Sequence, residues 1–262
     1  MRETLLNISS KSITSYIEKN LDDFYAKSSN HTNFISHIDK KISWVKAKNA
    51  DWPECIFKAD LEDLNMENEI NEIKQLINKG EAPNGWTVGP LTKPKDLGKT
   101  LKKYGFSNVY QQTGMAINLK SLKNNFRSEI NLIVEIVDNE ESLNQWIEIV
   151  STVFVIKVDF ELIKYLFSEP EVKFYIGKFE GKPVSALMLY LSSGVAGLHA
   201  VSTLSKYRNR GFGLIISHTS LIDAFKMGYR VGVLQASTLG ERVYRKLGFK
   251  KYCDIISYEL SG

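Results

Sequence analysis

The sequence is poor in cysteine. It has two, Cys55 and Cys253, far apart in the chain and without a histidine close to either, so neither a disulfide framework nor a zinc-ligand spacing can be built. No apolar run approaches the ~18 residues needed to cross a bilayer, and residues 1–12 hold no apolar core of signal-peptide length. The expectation is a soluble cytoplasmic protein with no membrane partner and no metal. A dominant charge sign is also missing: 34 basic residues are interleaved with 30 acidic ones, for a net charge of +4. Nucleic-acid binding calls for a clustered basic face, so no nucleic-acid partner is expected. What remains is ample apolar content, 43%, in a chain of 262 residues, long enough for two medium domains or one large one.

The most informative stretch is a basic, glycine-bearing turn. An apolar run over residues 195–204 leads into Lys206-Tyr207-Arg208-Asn209-Arg210-Gly211-Phe212-Gly213, and a periodic segment over 214–227 follows, closed by Gly228. Read as strand, turn and helix start, this is an anion cradle. The first amides of a helix have no intrahelical partner, and the macrodipole adds roughly half a positive charge. Gly211 and Gly213 remove side chains where a ligand would come close. Three cations precede the helix, against the usual preference for acidic residues there. The stretch has no Gly-Lys-Ser/Thr ending, so it is not a P-loop. Leu214, Ile215 and Ile216 stand where the dinucleotide fingerprint needs a third glycine. On these residues alone, a basic surface turn with two glycines for backbone reasons remains open.

Taken in order, the chain begins with Ile13, Tyr16, Ile17, Leu21 and Phe24 on one helical face, with Ser9 or Ser10 as the cap. Two short strands are expected at 42–47 and 55–59, then a helix carrying Met66, Ile70, Ile73, Leu76 and Ile77 and stopped by Gly80. Residues 86–89 read as a strand, 94–104 as a helix, and Gly105-Phe106 opens another strand through Leu119. A polar run at 119–128 reads as a linker. The second half repeats the theme: strand 131–137, helices over 143–150 and 160–167, a three-strand meander over 173–204, then strand 231–235 after the cradle helix.

Aligned on their Gly-Phe pairs, Leu101-Lys102-Lys103-Tyr104-Gly105-Phe106 matches Tyr244-Arg245-Lys246-Leu247-Gly248-Phe249. So long a period indicates a duplicated domain rather than a solenoid. The first copy lacks the cradle. Its helix is preceded by Ala59-Asp60-Leu61-Glu62-Asp63-Leu64-Asn65, acidic and free of glycine, and Leu101 stands where the second copy has Tyr244.

The order of strand, Arg208-x-x-Gly211-x-Gly213, amphipathic helix, strand and Ser237-x6-Tyr244-x3-Gly248-Phe249 resembles the GNAT N-acetyltransferase superfamily over about residues 131–260. The resemblance implies an α/β fold with a mixed α+β sheet, GNAT-like in the C-terminal domain and degenerate in the N-terminal one. The expected domains are 1–124 and 125–262. It further implies acetyl-CoA as cosubstrate and an amine-bearing acceptor, small molecule or protein. Arg208, Asn209, Arg210, Gly211, Phe212, Gly213 and Leu214 would bind the pyrophosphate. Val201, Ser202 and Thr203 would offer backbone groups, freed by strand splaying, to the pantetheine arm, with Ser237 also on the cofactor. Tyr244 would protonate the departing thiolate: its ordinary pKa near ~10 keeps it protonated, against ~8.5 for a thiol.

The base is less defined, since residues 195–204 contain no glutamate. His199 is the titratable side chain there, a base or, more commonly, a hydrogen-bonded core residue. Phe154, Phe160, Tyr165 and Phe167 could line a lid or belong to the core, and Cys253 reads as a buried, inert thiol. A non-catalytic acyl-CoA-binding sensor or scaffold is the alternative. The oligomeric state cannot be read from the sequence.

Overall fold

The computed structural model describes residues 10–61, 65–122 and 131–261. The chain runs α1 (Ser10–Ser28), β1 (Phe34–Ile38), β2 (Ser43–Ala47), β3 (Cys55–Phe57), α2 (Met66–Asn78), β4 (Gly85–Val88), α3 (Leu97–Lys103) and β5 (Phe106–Asn118). It continues through β6 (Ile133–Ile136), α4 (Glu140–Phe154), α5 (Phe160–Ser168), β7 (Val172–Phe179), β8 (Lys182–Ser192), β9 (Val195–Thr203), α6 (Phe212–Lys226), β10 (Val231–Ala236), α7 (Thr238–Leu247) and β11 (Lys250–Leu260).

Local chemistry sets most of these boundaries. Asn139 caps α4 by accepting from Ser142 N at 2.9 Å, and Asp159 caps α5 by accepting from Leu162 N at 2.9 Å. Both hairpins of the meander turn on two residues of positive φ, Glu180-Gly181 and Ser193-Gly194, whose twist matches that of the flanking strands. Three expectations are corrected. A strand, β1, pairs with β2 ahead of the two expected ones. The helix expected at 94–104 begins at Leu97. Residues 119–121 form a 3-10 turn with Leu119 and Leu122 buried, so the linker does not begin there. Ser9, Glu62, Asp63, residues 123–128 and the expected domain boundary at 124/125 lie outside the described residues, and Ser10 is already helical.

The strands form one sheet in the order β1-β2-β3-β4-β11-β5-β10-β9-β8-β7-β6. Apart from β6, this order is a palindrome. The strands after the two Gly-Phe pairs, β5 and β11, are antiparallel neighbours at the centre, from Phe106↔Leu260 to Ala116↔Lys250. Each has crossed into the other half, so that β5 pairs with β10 and β11 pairs with β4. The duplication inferred from sequence is therefore realised as an exchange of strands.

Side chains alternate between the two faces. On β5, Met115 and Ile117 join a core with Ile216 and Leu221 of α6 and Leu247 of α7, whereas Ala116 packs with Ile17 and Leu21 of α1. The first half repeats the outer arrangement, with Ile70, Ile73, Leu97 and Leu101 of α2 and α3 against Trp86 and Phe106. The ends of the sheet meet around α1. Phe34, Val45 and Phe57 share one core with Phe174, Ala186 and Met188, together with Phe24 of α1 and Trp146 of α4. Each such fully buried large side chain stabilises by roughly 1.5–3 kcal/mol, so the halves are held together by packing as well as by the ladder.

Candidate functional site

The site is built where β9 and β10 part. They run parallel through Ala196↔Gly232, Gly197↔Val233 and Leu198↔Leu234, and no pairing follows. From His199 to Thr203, β9 keeps β8 on one edge and has no strand on the other. A β-bulge accompanies the parting: on β8 Leu187 alone faces Ala200 and Val201, and Ala200 takes φ 49°. Opposite the bulge, the Trp146 indole N–H donates to the Leu187 carbonyl at 3.0 Å and fixes α4 over it. Val201, Ser202 and Thr203 thus lie along the open edge.

At the end of β9 the chain passes through a short 3-10 turn to Arg208 and enters α6 at Gly211. Gly211 has φ 80°, a left-handed conformation that suits glycine, and a Cβ there would meet nothing. The turn therefore needs glycine at this position for its backbone conformation. Gly213 is different: it is helical, and a Cβ would find only Thr203 Oγ1, at 3.9 Å, so its missing side chain leaves open space above the first turn. α6 has no side-chain cap and no acid in its first turn. Leu214 N and Ile215 N donate to Gly211 O, both at 3.0 Å, and among the described residues the N–H groups of Gly211, Phe212 and Gly213 have no protein acceptor.

Around these amides lie exposed cations. Arg208 Nε donates to the Thr203 carbonyl at 3.2 Å. The Arg210 guanidinium sits 5.7 Å from the ring centres of both Phe179 and Tyr207, and Lys206 lies 5.1 Å from the Tyr207 ring. Among the described residues none of the three has a carboxylate partner. Phe212 is buried and anchors the turn by packing with Phe179 at 5.2 Å, while Asn209 takes φ 64°.

Ser237 caps α7, accepting from Gly240 N at 3.1 Å. On that helix Tyr244 is 8% exposed, its ring edge-on to Phe249 at 5.7 Å, in the core shared with Leu214 of α6 and Leu198 and Leu234 at the last β9–β10 pair. Burial, with a smaller contribution from Tyr110, holds its hydroxyl well above the ordinary tyrosine range, so it is protonated throughout the neutral range.

His199 is a hydrogen-bonded core residue: Nε2 lies 2.8 Å from Asn20 Oδ1, the ring stacks on Phe24 at 5.2 Å, and burial lowers its pKa to about 4. Burial raises the Cys253 thiol to about 12, leaving it protonated. Of the aromatic lid candidates, Phe160, Tyr165 and Phe167 pack against the core and Phe154 is 47% exposed.

The first half reaches this region in ways its sequence barely signals. Trp52 bridges to Val158 in the α4–α5 connection, Lys157 N donates to Asp51 Oδ2 at 2.7 Å, and Asn33 donates to Asp159 at 3.0 Å. Asn20 sits on the apolar stripe of α1 three residues after Ile17, and that polar interruption was the available signal.

In the first half the corresponding cleft is closed. β3 and β4 share only the pair Ile56↔Trp86, then Lys93 N donates to the Ala59 carbonyl and Leu61 N to the Lys93 carbonyl, at 2.9 and 3.0 Å. Asn65 caps α2, and Glu67 and Glu69 fill its first turn. No helix among the described residues is long and apolar enough to cross a membrane.

Residues 140–249 match the model of the acetyltransferase (GNAT) family. Among solved structures, a GCN5-related N-acetyltransferase from Kribbella flavida is similar over 98% of this chain and 97% of its own, with TM-score 0.70 and 14% identity. Another, from Sphaerobacter thermophilus, covers 97% of this chain and 95% of its own, with TM-score 0.64 and 11% identity. A glucosamine N-acetyltransferase region of a fungal multi-domain GH3 β-N-acetylglucosaminidase has TM-score 0.58 and 10% identity, over 96% of this chain and 37% of its own. These likenesses establish the fold over nearly the whole chain. No curated protein matches it in sequence.

Proposed function

We propose that this chain, whose residues 140–249 match the acetyltransferase (GNAT) family model, transfers an acetyl group from acetyl-CoA to an amine by direct attack. The observation that carries this reading is the start of α6, where three amides without a protein acceptor and three cations without a carboxylate partner among the described residues adjoin the open edge of β9. A cation at a helix N-terminus costs about 0.3–1 kcal/mol, which a bound anion would offset.

In this reading the amides of Gly211, Phe212 and Gly213, with Arg208, Asn209, Arg210 and Leu214 around them, hold the pyrophosphate. The backbone of Val201, Ser202 and Thr203 pairs with the pantetheine amides, and Ser237 borders the thiol end. The thioester supplies an activated carbonyl and a leaving thiolate. Tyr244 donates its phenolic proton to that thiolate, the nitrogen releases a proton to solvent as the amide forms, and solvent returns a proton to Tyr244. The residues at 125–262 form the catalytic unit; those at 1–124 are a degenerate copy that packs against it and closes the acceptor side through α1 and Trp52. No metal takes part.

A second reading, acyl-CoA binding without turnover, is favoured by one observation: neither β9 nor β10 carries a carboxylate. Calorimetric titration with CoA, followed by counting thiol released from acetyl-CoA over a panel of amines and peptides, tests both. Binding with turnover supports the enzyme, binding without turnover the second reading, and no binding removes both.

A further inference from the structure

A second open strand edge lies beside the first, where β10 ends. The last residue of β10, Ala236, pairs with Thr113 on β5. Over residues 107–112, β5 keeps β11 on one edge and, among the described residues, has no strand on the other. No backbone hydrogen bond outside the ladders reaches that stretch among the described residues either. Because β5 is antiparallel to β10 and β9 is parallel to it, residues 107–112 and 199–203 lie at the same end of the sheet, on either side of the place where β10 stops. Neighbouring strands stand about 4.8 Å apart, so the vacated place is one strand wide at its root. The Tyr244 hydroxyl is close enough to Tyr110 in this stretch for the two phenols to interact electrostatically.

The duplication supplies a comparison within the molecule. The equivalent stretch of β11 is 250–255, which likewise precedes the first pair with a parted strand, Ile256↔Val88. Both stretches have one bulged residue at the same place, Val109 on β5 and Tyr252 on β11. The β11 stretch adjoins the closed cleft of the first half. It carries Lys250, Lys251 and Asp254, and its Tyr252, Cys253 and Ile255 pack with Ile17 and Leu21 of α1. The β5 stretch has no charge: Ser107, Asn108 and Gln111 stand at the three charged positions, and Val109 and Tyr110 are 49% and 45% exposed. Charge, lysine above all, keeps an unpaired strand edge from pairing. The closed half has that protection and the open half lacks it. A row of unpaired N–H and C=O groups at strand spacing is complemented by another backbone.

We propose that residues 107–112 bind the acceptor as an added strand, and that the acceptor is an extended polypeptide presenting its free amino terminus at the inner end of this edge, next to Thr113. This rests on the acyl-transfer reading above and narrows its acceptor from amines in general to a peptide amino terminus. The polarity follows from position: β5 runs inward from 107 to 112, so a chain whose amino end is innermost lies antiparallel to it. Donor and acceptor then enter from opposite sides of the vacated place, with pantetheine amides on β9, peptide amides on β5 and Tyr244 between them. The new bond joins the peptide nitrogen to the acetyl carbon as the carbon–sulfur bond breaks, with the protons moving as described above. Six residues of strand span about 20 Å, which sets the length of acceptor that can be recognised.

Calorimetric titration of the CoA-saturated protein with C-terminally amidated alanine peptides, from the single residue to the hexapeptide, reads the docking without turnover. Affinity should rise roughly tenfold or more along the series, and kcat/KM from thiol release should rise with it. N-methylation of single peptide bonds should weaken the hexapeptide at alternate positions only, because every second residue of a strand faces a given neighbour. Ser107→Lys combined with Asn108→Lys gives the open edge the lysines of the closed one. That variant should bind the hexapeptide about tenfold more weakly and CoA as the parent does. Affinity and kcat/KM that ignore length, or N-methylation effects that do not alternate, would overturn the proposal; turnover of small amines in that case leaves the acyl-transfer reading standing. Length-dependent binding with no thiol released would overturn the acceptor role together with the acyl-transfer reading, and leave the edge as a peptide-binding site. A parent dimer that the lysine variant dissociates in sedimentation would assign the edge to a second copy of the chain and overturn the proposal.

Discussion

Asn65 and Gly211 stand at the N-caps of corresponding helices, α2 and α6, and treat the helix start in opposite ways. Asn65 accepts from Asn68 N at 3.4 Å and acids follow it; Gly211 offers no side chain and no acid follows. One chain thus contains a sealed helix start and an open one in the same fold. CoA should therefore bind once per chain, and a calorimetric stoichiometry of two would place a second site where Glu67 and Glu69 now stand.

Gly213 and Gly211 should separate in their effects. Gly213→Val fills the open space over the first turn and should weaken CoA binding tenfold or more with a small change in Tm. Gly211→Ala forces a side chain into φ 80° and should cost about 1–2 kcal/mol of stability before any effect on binding. Titration and thermal melts of the two variants, run side by side, check the assignment. Equal affinity of Gly213→Val and the parent would sink it.

Tyr244→Phe retains the ring packed on Phe249 and removes the phenolic proton. If that proton goes to the thiolate, kcat should fall on the order of a hundredfold to ten-thousandfold, with little change in the acceptor's KM or in CoA affinity. Parent-like turnover would make Tyr244 a packing residue and leave water as the proton source.

Glu18 should make stability fall with rising pH. It is 2% exposed, and burial pushes its carboxyl up to about 7, although Leu91 N and Thr92 donate to it. Between the ordinary value and about 7 the folded chain keeps a proton that the unfolded chain has released. Its contribution is therefore complete at low pH and lost through pH 7, up to about 3 kcal/mol. Asp22, raised by burial and by Glu18, adds to the same slope. Glu18→Gln should be less pH-dependent across pH 5–8 in urea unfolding, and an unchanged slope would exclude Glu18 as its source.

Residues 1–124 and 125–262 should not fold when produced apart. Alone, the second half lacks β5 between β10 and β11, and the first lacks β11 between β4 and β5. Circular dichroism and gel filtration should show unfolded or aggregated fragments and recovery on co-expression. A cooperatively folded, monomeric fragment 125–262 would mean that the exchanged strands are dispensable.

The elements with strong local signals were legible in the sequence. The meander turns and the α6 start depend on residues within a few positions of one another, and periodicity or glycine marks them. β1 was not legible, because its burial is confined to Phe34 while Ile35 and Ile38 are exposed, so it has no apolar alternation. That Gly211 takes a left-handed φ while Gly213 is helical was hidden for a different reason: glycine looks the same in a sequence whichever backbone conformation it adopts.

By itself the sequence determined the two matching Gly-Phe segments, the basic Arg208-x-x-Gly211-x-Gly213 turn with Tyr244 after it in the second half, and the absence of such a turn and tyrosine from the first. These are statements about residue identity at fixed spacing. Only the tertiary structure decided that β5 and β11 change places, that β9 and β10 part at His199, and that Asn20 and Trp52 of the first half reach the second half's site. Strand pairing and side-chain contact between residues more than a hundred positions apart depend on which surfaces bury one another, and no local pattern in either segment names its partner.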